Sequence, residues 1–301
     1  MMHIGNGKSR EQAANQGLSI IPPLMILQRG CTGSSVVFRM AKNLLSELGV
    51  PIYPTKTKEI ARTDQPQKNP WYRPGETLGD AMRRGVEEAS QAGQVLVFNI
   101  FKMKSWTVNP DQLALNKALI DLKARSVIVQ RRNTLDTVVC EIRDCFEDVR
   151  GISRGYLVDQ NGTRDDTCFE RRKEEGEEVK TKAFVNLKNL PGHLEVAESY
   201  AETMQVSLQE LGFPGTSIVY VEDLVSHEYS SENLDRSSAA WKEFFSSLGV
   251  EVEVDDIKRV LAKEVGTYPP PAPHSESIYN LKRVEHLLAS PRLSMADLLR
   301  H

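Results

Sequence analysis

MILQRGCTGSSVVFRMAKNLL, residues 25–45, opens apolar, passes through small residues and closes amphipathic. The order predicts a strand over Pro23–Arg29, a loop, and a helix from Ser34 to Leu48 that Gly49 stops. The apolar residues Val36, Val37, Met40, Leu44 and Leu45 recur at helical spacing. A nucleoside-triphosphate loop would place lysine after its last glycine, whereas Gly33 is followed by Ser34 and Ser35. Gly30 and Gly33 permit tight backbone geometry, the serine hydroxyls donate, and the first amides of the helix face an anion. The same residues also compose an ordinary glycine turn with a serine helix cap.

Outward from this segment the pattern repeats. Helices are expected over Glu76–Gln91, Pro110–Leu122, Thr134–Val149 and Leu190–Leu211. Strands are expected in QVLVFNI, in RSVIVQR (Arg125–Arg131) and in GTSIVYVEDL. Alternation of this kind predicts an α/β fold, a three-layer domain with a mostly parallel central sheet. Ligands of such sheets bind at the carboxyl ends of the strands, where Arg29–Ser35 and Arg131–Cys140 begin. Residues 1–22 read as a flexible lead-in, 23–290 as one domain and 291–301 as a tail. Gly151–Thr181, dense in mixed charge, reads as an insertion, either a lid over the pocket or a solvated helix. The proline- and charge-rich loop after the first helix is long enough to be functional or mobile, and its Tyr53, Trp71 and Tyr72 could enclose a polar metabolite.

The 301 residues are 40% apolar and 26% charged, the profile of a soluble globular protein, and a net charge of −3 offers no global attraction for nucleic acid or anionic lipid. No apolar run reaches the roughly 18–20 residues that span a bilayer, and the N-terminus has no signal-peptide core. The four cysteines form no short metal-binding pattern, so a largely reduced, cytoplasmic protein without a metal is expected, although their count alone leaves a disulfide open.

VIVQRRNTLDTVVCEIRDC, residues 127–145, adds a second phosphate candidate. Together the two segments resemble the sulfotransferases that use 3′-phosphoadenosine 5′-phosphosulfate, closer to the bacterial-like or carbohydrate branch than to the cytosolic one. That family has a first strand, a small-residue phosphate loop and a helix. Later comes a strand ending in Arg-Asn or Arg-Asp, with a serine eight residues beyond the arginine. Arg132 and Asn133 match, and the eighth residue after Arg132 is Cys140, whose thiol is a weaker donor than serine. Arg131 either assists Arg132 or faces solvent, and Cys140 either faces the 3′-phosphate or is a small buried residue. In the phosphate loop Thr32 takes the small position and Cys31 the basic one, with Arg29 two residues earlier. Glu222, Asp223 and Leu224 are similar to the family's late Tyr-Glu-Asp-Leu, with Val221 in the tyrosine position, and HSESIYNLKRVEHLL is similar to its closing helix start. Asn280 there either caps the helix or touches the nucleotide.

The resemblance implies a P-loop-like sulfotransferase fold and donor binding by Arg29, Gly30, Cys31, Thr32, Gly33, Ser34, Ser35, Arg132, Asn133 and Cys140. It implies sulfuryl transfer to a hydroxyl or amino group of a small metabolite or carbohydrate, with adenosine 3′,5′-bisphosphate as product. Lys102 and Lys104, spaced to share a side of an extended chain, are candidates to neutralise the leaving group. Asn99 is a candidate to orient the acceptor. Glu59 is the expected general base, with Asp64, His193 and His227 as reserves. No nucleic acid or membrane partner is expected, and the oligomeric state stays open. The alternatives are a catalytically silent nucleotide-binding domain of the same fold and an ATP-dependent kinase. The kinase lacks both a Walker lysine and an acidic residue at the end of VLVFNI.

Overall fold

The computed structural model describes residues 20–29, 31, 34–55, 59–63, 65–101, 110–143, 153–159, 161–165, 181–225, 230–264, 273–291, 293 and 295–299. The chain divides into two compact units, residues 1–130 with 201–268, and residues 131–200 with 269–301.

The first unit holds a parallel sheet of β1 (Leu24–Gln28), β2 (Val97–Phe101), β3 (Arg125–Gln130) and β7 (Ser217–Tyr220), in the order β2-β1-β3-β7. The runs LMIL and VIV are apolar on both faces, which suits strands covered on both sides. Leu24 lies opposite Val97 and Arg125, and Gln28 opposite Phe101 and Val129. The mixed α/β architecture with a parallel sheet flanked by helices therefore agrees with the expectation. On one face Leu24, Ile26, Val97, Val127 and Val129 bury against Val37, Ala41 and Leu44 of α1 (Ser34–Glu47). The same cluster takes in Trp241, Phe244 and Phe245 of the long helix Ser231–Ser247. The three rings meet at centroid distances of 4.8, 5.5 and 5.4 Å.

Helix α2 (Leu78–Gln91) begins at a capping box in which the Thr77 hydroxyl accepts from the Asp80 amide and Asp80 reaches back to the Thr77 amide. It packs on α3 (Pro110–Asp121) through Gly79, where a Cβ would stand 2.5 Å from the Ala114 carbonyl oxygen. Only glycine lets the two backbones approach this closely. The strand expected through Leu224 ends at Tyr220, and Val221–Leu224 is a turn of helix. Acidic Glu222 and Asp223 sit in its first turn, where negative charge suits a helix start.

The second unit contains a feature the sequence reading did not anticipate. The strands β4 (Gly155–Val158), β5 (Arg164–Asp165) and β6 (Lys182–Val185) form an antiparallel sheet in the order β5-β4-β6. Within Gly151–Thr181, expected as a lid or a solvated helix, the described residues 153–159 and 161–165 hold β4, β5 and the turn between them, and residues 166–180 lie outside the described residues. Gly155, with φ 153, meets the Phe184 carbonyl so closely that a Cβ would lie 2.1 Å from its oxygen. Helix α4 (Thr134–Arg143) buries Leu135, Val138 and Ile142 against Leu157, Val185, Leu190, Leu194, Val284 and Leu288. Asn280 precedes the helix Leu281–Leu288 but makes no capping bond. Its side chain instead accepts from the Val185 amide and donates to the Val185 carbonyl, both at 2.9 Å, completing the free edge of β6. Among the described residues no helix is long and apolar enough to cross a membrane.

Candidate functional site

In the first unit β1 and β3 end side by side, with Gln28 opposite Val129. Helix α1 leaves this edge and runs back along the sheet, since the chain just beyond it reaches the start of β2, where the Pro51 carbonyl accepts from the Val95 amide at 2.8 Å. The N-terminus of α1 therefore lies at the carboxyl edge, where the first amides of a helix have no intrahelical acceptor and the dipole is positive. Arg29 directly follows β1 and is buried. Cys31 has φ 68, the left-handed region that residues bearing a Cβ seldom adopt. Gly30, Thr32 and Gly33 and the side chains of Ser34 and Ser35 lie outside the described residues.

The second unit holds Arg132, Asn133 and Cys140. Arg132 is exposed. Asn133 caps α4, its Oδ1 accepting from the amides of Leu135 (3.1 Å) and Asp136 (3.3 Å), while its Nδ2 donates to the Leu298 carbonyl at 3.0 Å. Asp136 accepts from His274 Nε2 at 2.8 Å, and Arg131 Nη1 stands 3.6 Å from its other oxygen. This places Arg131 beside Asp136. The His274–Asp136 contact joins residues 138 apart and had no signal in local spacing.

Cys31 and Cys140 are each disulfide-bonded. The expectation of reduced cysteines is thereby corrected, and Cys140 has no thiol proton to offer a phosphate. A Cys140→Ser change accordingly removes a disulfide as well as adding a hydroxyl.

Lys102, Lys104, Asp64 and His227 lie outside the described residues. Glu59 accepts from Arg62 Nη1 at 2.8 Å, a local pair one helical turn apart in sequence. His193 is buried in the helix Leu190–Glu210. Asn99 lies inside β2 and is fully buried.

The described part of the long loop after α1 is pinned to α2. Tyr53 Oη and Trp71 Nε1 both donate to Glu88. Arg84 donates to the Trp71 carbonyl at 2.6 Å and pairs with Glu76, and Asn69 donates to the buried Ile60 carbonyl at 2.9 Å. A pocket of about 330 Å³ remains beside Trp71, Tyr72, Arg73, Arg84 and Glu88. The hydrogen bonds from Tyr53 and then Trp71 hold the Glu88 carboxyl below its usual range, and the same Glu88 bond raises the Tyr53 phenol. A lowered carboxyl contributes stability above the ordinary glutamate range and loses it as pH falls through the lowered value. A raised phenol contributes below the ordinary tyrosine range and loses it as pH rises through the raised value. The stability advantage of the wild type over Tyr53→Phe should therefore be flat near neutrality and shrink toward both acid and alkali. Urea midpoints measured across pH check this, and an advantage that grows in acid would contradict it.

A second pocket, about 430 Å³, lies wholly within the second unit. Tyr156 and Phe184 stack in its wall at 4.7 Å with 6° between their planes, and the Arg164 guanidinium stands 5.0 Å over the Tyr156 ring. Arg164, Lys188 and Arg283 are its charged liners, with no carboxylate among them. Such a lining suits an anion with an apolar body. Among the described residues no group of three or more His, Cys, Asp or Glu side chains is arranged to hold a metal ion.

No protein-family model matches the chain, and no curated protein matches it in sequence.

Proposed function

We propose that the chain binds 3′-phosphoadenosine 5′-phosphosulfate and transfers its sulfuryl group to a hydroxyl or amino group of a small metabolite or carbohydrate, on a sulfotransferase-like three-layer α/β scaffold. The observation that carries the reading is the alignment of the carboxyl ends of β1 and β3, Gln28 opposite Val129. One strand leads into the small-residue loop and α1, and the other into Arg131, Arg132 and Asn133. A nucleotide with phosphates at its 5′ and 3′ positions needs two anion sites of this kind.

In the reaction an acceptor oxygen or nitrogen attacks sulfur, the bond from sulfur to the bridging oxygen breaks, and the electron pair leaves with adenosine 3′,5′-bisphosphate. The acceptor proton passes to a base. The N-terminus of α1 and Arg29, with Lys102 and Lys104, would stabilise the charge growing on the leaving phosphate. Glu59 is the proposed base, oriented by Arg62. A second reading, donor binding without transfer, is favoured by two observations. The Asn133 side chain is committed to capping and to Leu298, and Cys140 carries no thiol.

Calorimetric titration separates these outcomes. Adenosine 3′,5′-bisphosphate should bind more tightly than adenosine 5′-monophosphate. Arg132→Ala should erase most of the difference, about 1.5–3 kcal/mol for a charged hydrogen bond. Equal binding of the two nucleotides by the wild type would defeat the proposed 3′-phosphate site. Tight binding with no sulfated product across phenol, amine and sugar acceptors would favour the silent reading.

A further inference from the structure

Gln28 and Asn99 stand out among the buried polar residues of the first unit. They are 1% and 0% exposed. All four of their side-chain polar atoms lack a hydrogen-bond partner among the described residues. Buried carboxamides are ordinarily satisfied, and leaving their atoms bare costs stability. A pair left bare at one place calls for an external partner.

Their placement says where that partner sits. Side chains alternate along a strand, so Gln28 follows Leu24 and Ile26, and Asn99 follows Val97, onto the face that buries against α1. Asn99 lies opposite Ile26 and Gln28 opposite Phe101, so the two amides are diagonal neighbours on adjacent parallel strands. Below them on β1 and β2 the face is apolar, with Leu24, Ile26, Val95 and Val97. Above them is the carboxyl edge, where α1 begins. The N-terminus of a helix of 14 residues is an anion site in outline, and the two bare amides lie on the sheet face that this helix covers, near the carboxyl ends of their strands.

We propose that Gln28 and Asn99 form the floor of an oxyanion site, their amide N–H groups completing the cradle begun by the first amides of α1. The ligand is a tetrahedral oxyanion, either inorganic phosphate or sulfate, or the terminal group of a nucleotide. The inference goes beyond the sulfuryl-donor reading because it needs only the oxyanion.

The test separates a ligand site from an ordinary polar contact by the sign of two effects. If the amides await a ligand, replacing them with apolar residues of similar size removes a standing penalty. The double variant Gln28→Leu/Asn99→Leu should then be at least as stable as the wild type to urea without ligand. Its affinity for inorganic phosphate, titrated at constant ionic strength, should fall about ten-fold or more, as expected for losing hydrogen bonds to a charged group. The single variants Gln28→Met and Asn99→Leu should each show part of both effects, which keeps the test open if the double variant does not fold. A less stable variant that binds phosphate as the wild type does would overturn the proposal and leave the amides as a structural pair bridged by solvent. No saturable phosphate or sulfate binding by the wild type would also overturn it. Titrating adenosine 3′,5′-bisphosphate in parallel distinguishes the source of the oxyanion. Binding of inorganic phosphate alone, lost in the variants, supports the site and counts against the nucleotide reading. Nucleotide binding indifferent to both substitutions rejects the site and leaves that reading intact.

Discussion

Trp241→Ala should destabilise the first unit by about 3–5 kcal/mol, the cost of deleting a large buried aromatic side chain. Trp241 is completely buried. It meets Phe244 edge-on and stacks on Phe245, so three rings from one helix fill the space beside Val127, Val129 and Val219. Its indole N–H also donates to the Leu224 carbonyl at 2.9 Å, tying the short helix after β7 to the long one. Alanine removes the ring contacts and the donor together, and no neighbouring chain is free to collapse into a space lined by two more aromatic rings. Trp241→Phe restores much of the volume and leaves the Leu224 carbonyl unmet, so it should cost less, about 1–3 kcal/mol. Urea unfolding followed by far-ultraviolet circular dichroism reads both. A loss below about 1 kcal/mol for alanine would mean that the aromatic cluster is loosely packed.

Asp136→Ala should have an effect of similar size in the second unit. The carboxylate is nearly buried, with 10% of its side chain exposed, and it accepts from His274 while facing Arg131. Removing one partner of a buried ionic group typically costs about 3–5 kcal/mol, because the others lose their compensation. The aspartate also sits in the first turn of α4, where a negative charge is favourable. His274 begins the closing segment of the chain, so the change should loosen that segment from α4. Hydrogen exchange should accelerate in the His274–Ser277 turn and in β6, which Tyr279 and Asn280 bond. Asp136→Asn keeps the shape and one acceptor, so it should fall between alanine and wild type. Unchanged exchange in all these amides would show that the His274 contact does not anchor the segment.

The parallel sheet was legible because its strands are short, continuous apolar runs and its helices carry clear starts and stops. Ser34, Pro110 and Thr134 open helices where the residue types require. The antiparallel sheet was not. Its strands span only four, two and four residues, and a long charged stretch separates β5 from β6. No local period survives that interruption. Side-chain roles were less legible than elements. Asn133, assigned to the nucleotide, caps α4, and Asn280, read as a cap or a nucleotide contact, pairs with a strand 95 residues earlier. Gln28 looks like an ordinary strand-end residue in sequence, and Asn99 is marked there only as a candidate to orient the acceptor. Their lack of partners emerges only when β1 and β2 are set side by side.

The path of the chain has a consequence for synthesis. The first unit is interrupted after β3, and its fourth strand arrives only after residues 131–200 have been made. Until Ser217–Tyr220 emerges from the ribosome, β3 presents Val127–Gln130 as a bare, apolar edge. Such an edge is a template for pairing with another nascent chain. The second unit, also incomplete until residues 269–301 follow, cannot finish first. A chain that terminates early, anywhere between Arg131 and Thr216, would therefore carry three parallel strands with one side open, and would be a natural substrate for chaperones.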